Sequence, residues 1–160
     1  MNSLADQVRQ SLSDWKPASG DAVTFGQAFP DAGWQLSIAF EKSESLGGSV
    51  QRLELDRTAD APAGLTLNAW AESVANRVSG LLEKLKVHEI DDLEGVAMLR
   101  SEGPQVRGTA RNYYEVELTG TEKATVERYR GDTTPGSRRE RIPFALTYEG
   151  IGQVVEGFGS

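Results

Sequence analysis

The chain has 160 residues and a formal net charge of −7 at pH 7, with 17 basic side chains, 24 acidic ones and one histidine. A chain of this size hides about 70% of its unfolded surface and is short for two ordinary domains, so one globular domain over 1–160 is expected. The acidic balance speaks against nucleic acid as a partner, since such binding rests on neutralising phosphates with Lys and Arg, and the lack of cysteine removes disulfides, thiolate nucleophiles and Cys-ligated zinc.

No apolar run approaches the roughly 18 residues of a spanning helix, and no basic patch followed by an apolar core opens the chain. Neither a membrane anchor nor a signal peptide is read, and a soluble, cytoplasmic setting is expected.

In chain order, Leu4, Val8, Leu12 and Trp15 fall on one face of a short helix that Ser3 and Asp6 can cap. Lys16 to Asp21 has turn chemistry, and Phe25 to Gly33, broken by Pro30 and Gly33, predicts at most an irregular edge segment. Trp34, Leu36, Ile38 and Phe40 alternate as in a half-buried strand. A polar loop, Glu41 to Ser49, leads to a returning strand marked by Leu53 and Leu55, with Val50 out of phase, which implies a bulge or a later start of the strand.

Next comes the strongest periodic signal. Leu67, Trp70, Val74, Val78, Leu81, Leu82 and Leu85 recur at steps of three and four, which predicts one long amphipathic helix over 66–85 with Thr66 as N-cap. A short strand near Val87 to Ile90, an acidic turn at Asp91–Gly95 and a strand Val96 to Ser101 follow. After the loop Glu102 to Ala110, strands Arg111 to Leu118 and Lys123 to Arg130 complete a meander. Ile142, Phe144 and Leu146 alternate into a last strand in which Pro143 implies an edge or a bulge. Thr147 caps a closing helix whose Gly150, Gly152 and Gly157 each cost about 1 kcal/mol of propensity, so it frays unless docked.

The fold expected is α+β: a single antiparallel sheet of five to seven strands, the long helix across one face, and short N- and C-terminal helices beside it or on the opposite face. The order of hairpin, long helix, meander and closing helix is similar to the layout of small α/β/α binding proteins of the PsbP type, a likeness of layout without a shared residue motif.

Packing selects a register for the meander. Placing Val116 opposite Val126, Leu118 opposite Ala124 and Tyr114 opposite Arg128 buries the apolar set, whereas a slip of one residue exposes half of it. By the same logic Ala97 and Leu99 flank Val116 and Tyr114 on one side, and Phe144 and Leu146 flank Val126 and Ala124 on the other. The opposite face then collects Met98, Arg100, Tyr113, Glu115, Glu117, Glu127, Tyr129 and Arg141. Arg100, Tyr113, Tyr129 and Arg141 form one row across four strands, with Glu115 opposite Glu127 in the next. Paired carboxylates need cations near them, and the arginines are placed to supply these.

Two chemistries compete for these residues. Arg and Tyr are enriched at contact surfaces, so the face reads as a recognition patch for a protein partner or a second copy of the chain. Arg128, Arg130, Arg138, Arg139 and Arg141 lie within fourteen positions, and a Gly/Thr/Ser-containing loop beside Arg138, Arg139 and Arg141 suits a small anion. The candidate binding residues are therefore Arg100, Tyr113, Glu115, Glu127, Tyr129, Arg138, Arg139 and Arg141.

His88, beside Glu89, Asp91, Asp92 and Glu94, lacks the ligand spacing of known metal sites, and an acidic β-turn accounts for the carboxylates. No metal, cofactor or catalytic residue is assigned. No nucleophile elbow, phosphate loop or dinucleotide fingerprint occurs, so the reading leans away from an enzyme. It favours a non-enzymatic protein-binding, adaptor or chaperone-like module, with a small anionic-ligand domain or an enzyme at the 128–141 segment as the alternative.

Overall fold

The computed structural model describes residues 3–17, 19–102, 105–132 and 134–159, with the backbone alone for 105–107. The class is α+β, built from three helices and one antiparallel sheet. In chain order the elements are α1 (Leu4–Asp14), β1 (Asp21–Phe29), β2 (Trp34–Ser43), β3 (Gly47–Arg57), α2 (Leu67–Arg77), β4 (Leu85–Asp91), β5 (Val96–Ser101), β6 (Gln105–Arg107), β7 (Ala110–Thr119), β8 (Lys123–Asp132), β9 (Glu140–Ile142), β10 (Phe144–Thr147) and α3 (Tyr148–Phe158). Seven strands form the main path in the order β1-β2-β3-β8-β7-β5-β4, and three short ones attach to it, β6 to β7, β9 to β8 and β10 to β3.

The register expected for the meander is the one observed: Val116 faces Val126, Leu118 faces Ala124, Tyr114 faces Arg128, and Glu115 faces Glu127. Alternation then sorts the sheet. Phe25, Phe29, Trp34, Leu36, Ile38, Phe40, Leu53, Leu55, Leu99, Val116, Leu118, Ala124 and Val126 are all buried in one cluster together with the apolar stripes of the three helices. All three helices therefore lie on this face. The other face carries no helix among the described residues, so the second helical layer implied by an α/β/α layout is missing there.

Several expectations need correction. Phe25 to Gly33 is no irregular segment: β1 pairs with β2 from Val23↔Phe40 to Phe29↔Trp34 without a shift. The bulge inferred from Val50 is present, between Ala39 and Phe40 of β2. Ala97 and Leu99 sit beside Leu118 and Val116, two residues along from the expected partners but on the same face.

Phe144 and Leu146 are not beside Val126 and Ala124, because Leu53 and Leu55 of β3 hold those places. β3 and β8 pair only over Leu53–Asp56 and Lys123–Val126, and beyond that they part. The segment 140–147 fills the fork. β9 lies along Arg128–Arg130 of β8, β10 along Gly47–Val50 of β3, and the chain doubles back at Pro143, which has no N–H to continue a ladder.

The 66–85 helix is also shorter than its periodicity suggests. Thr66 caps it, accepting from the Ala69 N–H at 3.1 Å, but α2 ends at Arg77 with Val78 as C-cap. Gly80 has φ +94°, a conformation that stops a helix and that other residues seldom adopt. Leu85 enters the core as part of β4 instead, and Leu82 is 81% exposed.

The glycines of α3 explain where this break sits. A Cβ on Gly157 would lie 2.5 Å from Val78 Cα, and a Cβ on Gly80 would lie 2.8 Å from the Gly150 carbonyl. On another side of α3, a Cβ on Gly152 would lie 2.9 Å from the Ala5 carbonyl of α1. The costly glycines thus let α3 sit against α1 and against the exit of α2. Glu156 accepts from the Ala5 N–H at 2.8 Å, and the Trp70 indole donates to the Phe158 carbonyl at 3.2 Å. The closing helix is docked rather than frayed.

Gly157→Ala is expected to destabilise the chain by about 1–3 kcal/mol in urea unfolding, the range for over-packing. Gly26→Ala, whose Cβ meets nothing within 4 Å, is expected to be neutral or slightly stabilising. Equal effects at the two sites would contradict the packing described.

Candidate functional site: the uncovered sheet face

Parity of β7 and β8 puts Tyr113, Glu115 and Glu117 on the uncovered face together with Glu127 and Tyr129. Tyr113 and Tyr129 sit opposite one another, with ring centroids 6.0 Å apart and planes at 29°. Arg141 of β9 is the next residue along that row, opposite Tyr129. Arg100 is not in the row as expected. It lies opposite Glu115, because the β5–β7 register stands two residues from the one inferred.

That placement gives Glu115 a partner on each side. Arg100 Nε donates to Glu115 Oε2 at 2.9 Å, and Arg139 NH1 donates to the same oxygen from the other side. The carboxylate is left only 6% exposed. Arg139 reaches it by crossing Tyr129, with its guanidinium carbon 3.9 Å from the ring centroid, a cation–π contact. Burial acts to lower the Arg139 pKa, but hydrogen bonds to Glu115 and Tyr113 outweigh it and hold the guanidinium above its ordinary value.

Glu127 is satisfied separately. It accepts from the Tyr129 hydroxyl at 3.1 Å and from Arg141 NH1 at 2.9 Å. The opposed carboxylates Glu115 and Glu127 are therefore each neutralised by their own arginines, and the array alternates in charge across the face. Seven of the eight candidates meet here. Arg138 does not, being exposed in the loop before β9.

The Arg-rich segment is split between the two faces. Arg128 turns to the helix side, where its guanidinium lies 4.2 Å from the Tyr114 ring centroid and donates to Glu83 at 2.9 Å. This pair is 7% and 14% exposed by side chain, and Glu83 also accepts from the Ser101 hydroxyl. It pins the stretch after α2 onto the sheet. Removing one partner leaves a buried charge uncompensated, a loss of about 3–5 kcal/mol in such pairs.

At the end of the same face a hollow of about 720 Å³ opens between β4, β5 and the start of β7. Lys86, His88, Arg100, Arg111 and Tyr113 line it, with Glu102 and Asp132. His88 lies 3.3 Å from Arg100 NH1. Asp132 accepts from the Thr109 hydroxyl and from the Thr134 N–H, and these bonds hold its carboxyl below the usual range. None of Arg138, Arg139 and Arg141 lines this hollow. Nor could the sequence have marked it, because Lys86, His88 and Arg111 are separated along the chain and follow no motif.

No protein-family model, curated protein or solved structure matches the chain. Among the described residues no group of three or more His, Cys, Asp or Glu side chains is placed to hold a metal ion. No helix among them is long and apolar enough to cross a membrane.

Burial raises the pKa of both Tyr129 and Tyr114, with the Glu127 charge adding to it at Tyr129. The stability that the neutral rings contribute is therefore complete below the unfolded phenol value of about 10 and is lost as pH rises through the folded-state values. In a spectrophotometric titration, Tyr129→Phe is expected to remove a phenolate transition lying above about pH 10. Loss of a transition at or below that pH would contradict the assignment.

Proposed function

We propose that the chain is a non-enzymatic protein-binding module, of adaptor or chaperone-like type, whose contact surface is the uncovered face of β5, β7, β8 and β9. One observation carries this reading. A sheet with a complete helical layer on one side leaves its other side open, and there it displays stacked Tyr113 and Tyr129 among Arg100, Arg139 and Arg141. Aromatic and Arg side chains are those that dominate contact energies, and here they are already ordered, so little entropy remains to be lost on docking. The absence of a nucleophile motif and of a metal cluster among the described residues gives no support to a catalytic role.

The test is capture from native lysate by the full chain, comparing wild type with Tyr113→Ser/Tyr129→Ser and with Arg141→Glu. The tyrosine pair is expected to cost about 1 kcal/mol of stability while specific capture is lost in both variants. Capture unchanged in both variants, or tyrosine variants that no longer fold alongside full capture by Arg141→Glu, would sink the reading.

A second reading has its own observation. The hollow brings the cationic side chains of Lys86, Arg100 and Arg111, with His88, Glu102 and Asp132, around a space large enough for a small anionic ligand. It places the alternative away from the 128–141 segment, since Arg138, Arg139 and Arg141 do not line the hollow. Calorimetric titration with pyrophosphate is expected to show binding that Lys86→Gln/Arg111→Gln weakens at least tenfold and Arg138→Gln leaves alone. No heat with wild type, or equal loss in both variants, would dispose of a site there.

A further inference from the structure

We propose that β1 is the seam of a homodimer, in which the free edge of Val23–Phe29 pairs antiparallel with the same edge of a second copy around Gly26.

The two ends of the sheet differ in a way that decides the partner. A terminal strand presents a row of backbone N–H and C=O groups with no strand beside them, and proteins guard such edges with charge, proline or bulges. β4, at one end, is guarded: it carries Lys86, Glu89 and Asp91 and has a register shift between Val87 and Glu89. β1, at the other end, is bare. From Ala22 to Phe29 it holds neither proline nor a charged side chain, and Val23 to Phe29 run straight against β2 without a shift. Seven residues of regular edge span about 23 Å.

The side chains there are suited to a close neighbour. Thr24, Gly26 and Ala28 on the uncovered face are small and exposed, and a Cβ on Gly26 would meet nothing. Gln27 is exposed on the helix side between buried Phe25 and Phe29, so the helical layer reaches this edge and leaves the Gln27 side chain at its rim. With a two-fold at Gly26, Thr24 falls opposite Ala28 of the partner subunit, Val23 opposite Phe29 of the partner subunit, and Phe25 opposite Gln27 of the partner subunit. No like charges are opposed within the paired stretch. Ala22, with φ +47°, and Pro30 bound it, so Asp21 and Asp31 lie outside.

Self-complementarity of the edge argues for a second copy, and charge fixes where two copies can meet. Two chains of net charge −7 repel over most of their surfaces. An uncharged strip of fixed length is where they can approach, and the copy offers an edge of the same length and spacing. Pairing there continues one sheet into the other and sets the two uncovered faces side by side. This does not depend on what those faces bind.

Light scattering coupled to size exclusion is expected to give twice the 17.4 kDa chain mass for wild type. Thr24→Lys/Ala28→Lys is expected to give the monomer mass and a cooperative unfolding transition that, unlike that of wild type, does not depend on protein concentration. Because the chain has no cysteine of its own, Gly26→Cys reads the register directly. It is expected to form a covalent dimer under mild oxidation, while Leu93→Cys, 98% exposed in the β4–β5 turn, is not. A monomeric wild type, a dimer indifferent to the two lysines, or equal cross-linking at both cysteines overturns the proposal.

Discussion

Pairing of β7 with β8 runs from Ala110 opposite Asp132 to Thr119 opposite Lys123 without a bulge, and everything else in the molecule is arranged around that ladder. Because side chains alternate strictly along a strand, one register fixes which residues face the helices and which do not. Val116, Leu118, Ala124 and Val126 go inward, and the helices must cover them. Tyr113, Glu115, Glu127 and Tyr129 go outward as a consequence, without a separate force holding them there. The core and the candidate contact surface are two readings of one hydrogen-bonding pattern.

The ladder also constrains its neighbours unequally. β8 keeps β3 beside it only as far as Val126, where Arg128 begins. Arg128 pairs with Glu83 and the Tyr114 ring, and from that point the strand is accompanied by β9, with Ile142 opposite Arg128. The fork closed by 140–147 therefore coincides with the change from apolar to charged residues on β8. Pro143 at the turn serves the same end, since neither β3 nor β8 can continue its ladder through it.

Much of this was legible in the sequence because it depends on period two. The parity of 113–117 and the Glu115–Glu127 opposition follow from alternation plus one short turn, and the Tyr129–Arg141 adjacency from matching the alternation of 142–146 to that of β8. The departures arise where alternation and spacing carry no information. Leu81, Leu82 and Leu85 continue the helical spacing past Ser79–Gly80, but spacing carries no information about φ, and Gly80 with Gly157 and Gly150 packed near it ends the helix. Arg100 was displaced by two residues because the β5–β7 loop is long and leaves the register free within one face. The hollow around Lys86, His88 and Arg111 was invisible because only tertiary pairing brings β4 beside β5 and β5 beside β7.

The charged array has a physical character that bears on what such a face does. A carboxylate only 6% exposed, such as Glu115, loses hydration that a single partner seldom restores. Two arginines on one carboxylate, with Arg139 also lying on Tyr129, replace that hydration by fixed hydrogen bonds and a ring face. Ion pairs of this kind seldom add more stability than well-packed apolar residues would. What the array supplies instead is orientation: Arg139 is held across Tyr129 and Arg141 is held by Glu127, so the exposed parts of both cations have set positions. A surface ordered in this way discriminates by mismatched charge as well as by fit. As the contact surface proposed above, it would suit one partner of complementary pattern better than many.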